Sequence, residues 1–156
     1  MALGNALGTV HFSSDENCTN HVIADGERSN SQISVTVSTL DEQLSEIPFI
    51  MKMDVEGYES PALQGAKHLL NNDALCVVIV ELNGSGDRYG YDESEILELM
   101  ASYGFQTYSY EPFERALVSL AGKNSTNGNT IFVRNIELVS HRLSTAQKFT
   151  VHGVSV

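Results

Sequence analysis

Two nearly unbroken apolar runs, Phe49 to Val55 and Leu75 to Leu82, constrain this chain more than any other feature. They are bounded by Pro48, Gly57 and Asn83-Gly84. Short apolar runs between turn residues suit strands buried on both faces, and such strands belong to parallel sheets. A helical pattern follows each run. Ala62, Leu63, Ala66, Leu69 and Leu70 come after the first, and Ile96, Leu97, Met100 and Tyr103 after the second. Strands alternating with helices predict an α/β fold with a largely parallel sheet and right-handed crossovers.

Local signals fill in the rest. Thr9 to Phe12 reads as a short strand, and Ile33, Val35 and Val37 give Gln32 to Ser38 the period of a half-buried strand. Thr39 and Glu42 have capping-box spacing, which predicts a short helix to about Glu46. Ser60-Pro61 reads as an N-cap with proline in the first turn, and that helix should stop near Asn71-Asn72-Asp73. Asp92 and Glu95 open another helix, which Gly104 should end. Phe105 to Tyr110 and Thr130 to Arg134 read as strands, and the tail from Ile136 as one more short strand. Residues 1–135 are expected to form one domain, with 136–156 as a C-terminal tail.

Composition excludes several classes. The 156 residues are 42% hydrophobic, enough for a core in a single domain. The net charge of −11 repels phosphate backbones and anionic membranes, so neither nucleic acid nor a membrane surface is expected as partner. No apolar run approaches the roughly 18 residues that cross a bilayer. The opening Met1 to Asn5 lacks the basic and apolar regions of a signal peptide, so a cytoplasmic location is expected. Cys18 and Cys76 are too few for a disulfide framework; Cys76 should be buried and Cys18, in a polar stretch, exposed.

The chemistry concentrates in Lys52-Met53-Asp54-Val55-Glu56-Gly57-Tyr58-Glu59. If the strand stays extended, period two sets Asp54 and Glu56 on one face at its C-terminal end. Glu81 closes the second run. Ligands of open α/β sheets bind beyond the carboxyl ends of the strands, so three acids converge on such a position. Crowded carboxylates raise one another's pKa, which a fold tolerates where a cation, a proton or a ligand sits. Simple capping of the turn is the competing role, above all for Glu59, and Lys52 is expected to pair with a neighbouring acid. A second chemistry for Asp54, Glu56 and Glu81 is Mg²⁺ or Mn²⁺ binding. The glycines Gly84, Gly86 and Gly90 approach a dinucleotide fingerprint but are spaced one residue too wide. The five histidines are scattered, and His68 reads as a surface residue.

A resemblance then becomes specific. Thr39-Leu40-Asp41, Lys52-x-Asp54-Val55-Glu56-Gly57-x-Glu59 and Leu63-x-Gly65-Ala66 resemble the central block of FkbM-type methyltransferases. Glu81, Gly104-Phe105 and Asn129 with Phe132 continue the pattern, and Ala2-Leu3-Gly4 resembles the stretch after that family's third sheet strand. The resemblance implies part of a class I methyltransferase, Rossmann-like fold, with S-adenosylmethionine as donor. It implies a hydroxyl acceptor on a sugar or small natural product. It makes Asp54, then Glu56 and Glu81, the catalytic candidates, and Asp54 with Leu3 the cofactor contacts. These 156 residues hold no strand, glycine-rich loop and helix of the kind that cradles the donor. Weak or absent donor binding by this chain alone is therefore expected. An exposed edge on the first apolar strand would favour self-association. A non-catalytic assembly module is the alternative to an enzyme.

Overall fold

The apolar runs become neighbouring strands, but the sheet around them is mixed. The computed structural model describes residues 1–15, 19–126 and 128–155. Strands β1 (Ala2–Leu3), β2 (Gly8–Ser13) and β3 (Gln32–Ser38) form a small sheet in the order β1-β3-β2. Helix α1 (Leu40–Gln43) leads to β4 (Ile50–Met53), and then come α2 (Glu59–Gln64), α3 (Lys67–Leu70) and β5 (Val77–Glu81). Helix α4 (Glu93–Ser102) precedes β6 (Gln106–Glu111), β7 (Ala116–Ser119) and β8 (Asn129–Val133). Helix α5 (Ile136–Thr145) and a hairpin of β9 (Thr150–Val151) and β10 (Val154–Ser155) end the described chain.

The main sheet runs β4-β5-β8-β6-β7. The only parallel pairing within it is β4 with β5, and β8 lies antiparallel between β5 and β6, which share a direction. The expectation of a largely parallel sheet is thus overturned. A parallel return needs a crossover of a dozen or more residues, usually helical. No helix separates β6, β7 and β8, so the chain can only double back. Strand β4 is also not buried on both faces. It is an edge strand, with Ile50 53% exposed and Lys52 in solvent.

Helices α1 to α4 close one face of this sheet around Met53, Leu63, Leu70, Val78, Val80, Met100 and Phe132, all at most 4% exposed. Thr39 caps α1 by accepting from Glu42 N at 3.2 Å, as its spacing predicts, though the helix stops at Gln43. Helix α4 also follows expectation. Asp92 accepts from Ser94 N at 2.8 Å, and Gly104 in the left-handed region ends it, with Phe105 N bonded to Met100 O.

The single helix predicted after Asp54 is two. It starts at Glu59 rather than at Ser60-Pro61, and breaks at Gly65-Ala66. The backbone of Gly4 lies so close to Gly65 that a side chain there would collide with the Gly4 carbonyl. The new helix end is capped from far away, since the Asp41 carboxylate accepts from His68 N at 2.8 Å and Leu69 N at 3.0 Å. The tail does hold short strands, β9 and β10, but opens with α5, which its sequence does not announce. Asn135 takes a left-handed conformation and caps it by accepting from Leu138 N at 3.2 Å. Val139 of α5 is buried against Cys76, Val77, Tyr108 and Val133. Cys76 is buried as expected, whereas Cys18 lies outside the described residues. His68 is exposed, and Gly84 and Gly90 merely bound a 3₁₀ turn over Ser85–Tyr89. No helix of the described residues is long and apolar enough to cross a membrane.

Candidate active site

The register of the two parallel strands assembles the site. Met53 pairs with Val80, so the next residues, Asp54 and Glu81, stand side by side at the strand ends. Glu81 pairs in turn with Asn129 across β8. Asp54, Glu81 and Asn129 therefore form a row across three strands at one rim of the sheet. Asp54 and Glu81 are within hydrogen-bond reach of each other, and Glu56 is near enough to act on Glu81 through its charge. The three predicted acids do converge.

They converge by a different route from the one the period predicts. Strand β4 ends at Met53, and the chain turns at once. Glu56 and Gly57 both adopt left-handed conformations, with φ of 54° and 95°, and Tyr58 N closes the turn on Val55 O at 3.2 Å. Only glycine fits at position 57, because a side chain would run into the backbone of Ser85. At Glu56 the conformation costs about 1–2 kcal/mol for a residue with a side chain. Strain of this kind collects at functional turns.

Glu59 holds the turn. Its side chain is buried, and Oε1 accepts from Val55 N at 3.1 Å and Gly57 N at 3.3 Å. Burial pushes its carboxyl above the usual range despite those bonds. Its role is structural, as the capping reading has it. Lys52 Nζ donates to Asp54 Oδ2 at 2.6 Å, the pairing expected from sequence. That bond holds the Asp54 carboxyl below the usual range. Burial, and then the negative charge of Asp54, push the Glu81 carboxyl up. Two adjacent acids thus have affinities for the proton driven apart, the pattern of a working acid–base pair.

Asp54 and Glu56 open onto a cavity of about 470 Å³ between the turn and the small sheet. Leu3, Phe12 and Val22 supply apolar walls, and Tyr58 stands beside the acids. Leu3 of β1, the other predicted cofactor contact, therefore shares a cavity with Asp54. Glu81 lies behind Asp54, along a crevice of about 10 Å³ shared with Glu59, Asn83 and Tyr91. That is room for roughly one water molecule. Among the described residues no group of three His, Cys, Asp or Glu side chains is arranged to hold a metal ion. Tyr89 is structural. It sits edge-on to Tyr58 at 5.2 Å between ring centres and donates to Val22 O at 2.6 Å, and burial pushes its hydroxyl up to about 12.

A family model described as the methyltransferase FkbM domain matches residues 4–107. The chain belongs to the FkbM methyltransferase family. No curated protein and no solved structure matches it. Within the family block, most residues serve architecture. Asp41 caps α3, Gly57 and Gly65 permit close backbone approaches, and Glu59 clamps the turn. Asp54 and Glu56 are the acids of the block that line the cavity, with Glu81 touching Asp54 from behind. Sequence reasoning missed Arg134. Its guanidinium donates to the carbonyls of Leu70, Tyr103 and Leu75 at 2.8 to 3.2 Å and also to Asn72 O, and it lies 4.6 Å over the Phe105 ring. No local signal marks a side chain whose partners are about 30 to 60 residues away.

Proposed function

We propose that this FkbM-family chain forms the acidic wall of an S-adenosylmethionine-dependent O-methyltransferase whose acceptor is a hydroxyl of a glycan or small molecule. The observation that carries the reading is an ionised Asp54 on a half-apolar cavity, backed by a Glu81 with raised proton affinity. The chemistry of the lining suits the donor, because Asp54 and Glu56 favour a cation while Leu3, Phe12 and Val22 accept apolar atoms. When bound, the donor supplies an electrophilic methyl group on a sulfonium. Asp54 stays ionised through the neutral range because Lys52 stabilises its negative form. It orients the acceptor hydroxyl by accepting its hydrogen bond. As the oxygen loses its proton, the Asp54–Glu81 pair takes it, and Glu81 is the better resting place for it. Glu56 adds negative charge beside the cation site.

The described residues contain no glycine-rich cradle for the rest of the donor, so binding by this chain alone is weak. A methyl-labelled sample titrated with S-adenosylmethionine tests both points. Shifts confined to Leu3, Val22 and Val55, saturating in the millimolar range and lost in Asp54→Asn, are expected. Shifts that miss these residues, or that survive in Asp54→Asn, would remove the site. Tight stoichiometric binding in calorimetry would overturn the weak-binding part.

A further inference from the structure

We propose that the second face of the main sheet, far from the acids in the fold's layering, is a binding site for an aliphatic carboxylate. A cavity of about 300 Å³ runs under α5, floored by Val77, Ile79, Ile131 and Val133 and roofed by Val139 and Leu143. This size is at the lower end for small-molecule sites, about 300–1,000 Å³, and the lining is almost entirely carbon. Such a space takes a hydrocarbon chain.

The rim says what the other end of the ligand carries. Arg142 lines the cavity, with its guanidinium 4.0 Å over the ring of Phe49. The ring attracts the cation through its face and takes up none of its N–H donors in conventional hydrogen bonds. Among the described residues those donors meet no acceptor and no carboxylate. Arg115 brings a second guanidinium to the same end of α5, where it donates to Ala146 O at 2.8 Å, and Ala146 also lines the cavity. Two cations at one apolar mouth stand out on a chain with only 9 Lys and Arg residues and a net charge of −11. A planar guanidinium held in place matches a carboxylate by paired hydrogen bonds. The apolar floor and the cationic rim together select an anionic amphipath over a neutral or cationic one.

Calorimetry on the whole chain with dodecanoate, dodecanol and dodecyltrimethylammonium, all below micelle formation, tests the assignment. Dodecanoate is expected to bind with one-to-one stoichiometry and the cationic amphipath not to bind. Arg142 is exposed, so Arg142→Gln keeps the fold. It should weaken dodecanoate about tenfold, the scale of one charge-assisted pair, and leave dodecanol unchanged. Ala146→Trp, filling the cavity from its rim, should abolish both. Equal binding of all three head groups, or dodecanoate binding indifferent to both substitutions, would overturn the proposal. So would a dimer in light scattering that Ile50→Lys splits while no amphipath binds, since a second copy would then be the occupant.

Discussion

The two faces of the main sheet are built from alternate residues of the same strands, yet they are finished differently. Along β5, Val78 and Val80 are fully buried under four helices, while Val77 and Ile79 point to the face that α5 alone covers. The first face is tightly filled under α2 and α3, with Leu63 and Leu70 at 0% exposure, and opens only towards β6 and β7, where a cavity of about 400 Å³ lies beside Leu97, Thr107 and Leu120. The second keeps a 300 Å³ cavity in its middle, under α5, and leaves Ile50 and Tyr110 at 53% and 37% exposure. Apolar content alone therefore does not make a core. A core needs enough covering elements, and the face that has them is also the one that anchors the acidic turn through α2.

Truncation should separate the faces most sharply. Leu63→Ala is expected to cost about 3–5 kcal/mol in chemical denaturation, because the closed face cannot collapse into the hole. Leu143→Ala, beside an existing cavity, should cost only about 1 kcal/mol. Equal losses would mean that the second face is as tightly packed as the first. Arg134→Gln comes next. It strips donors from the carbonyls of Leu70, Asn72, Tyr103 and Leu75 and should cost about 3 kcal/mol, read as a lower thermal midpoint.

Glu59 sharpens the link between the closed face and the site. Glu59→Ala leaves Val55 N and Gly57 N without their acceptor and should cost about 2 kcal/mol. Glu59→Gln keeps an oxygen acceptor and should be milder. The folded state raises the affinity of Glu59 for its proton, so its favourable contribution is present below the unfolded pKa and is lost as pH rises through the folded value. Denaturation from mildly acidic to neutral pH should thus show Glu59→Gln gaining on the parent protein. The same difference at every pH would mean that the carboxyl is not perturbed. Glu56→Gly, the smallest effect, should stabilise by up to about 1 kcal/mol by relieving a left-handed residue, while weakening donor contact at Leu3 and Val55 in the methyl titration.

Much of the local structure was readable before the fold. Thr39, Asp92 and Gly104 announce their helix ends because capping is a short-range hydrogen-bond problem, solved within three or four residues. Glu81 and the Asp54-Val55-Glu56-Gly57 turn stand out because acids directly after apolar strands are rare without a purpose. Helix α5 carries no such local announcement. Ile136, Val139 and Leu143 carry its apolar stripe, but its start depends on a left-handed Asn135 that no nearby pattern requires. The break between α2 and α3 was invisible too, because Gly4 and Asp41, which impose and cap it, are remote in sequence.

What the sequence by itself determined is the set of apolar strands, the helix caps and the family, because each depends on residues close together or in a recognisable order. Only the tertiary structure decided strand direction, the route by which Asp54 and Glu81 meet, and the split between a face covered by four helices and one covered by α5 alone. An apolar run carries no mark of whether its neighbour runs parallel or antiparallel, since the same side chains pack either way; connection length and contacts across tens of residues make that choice.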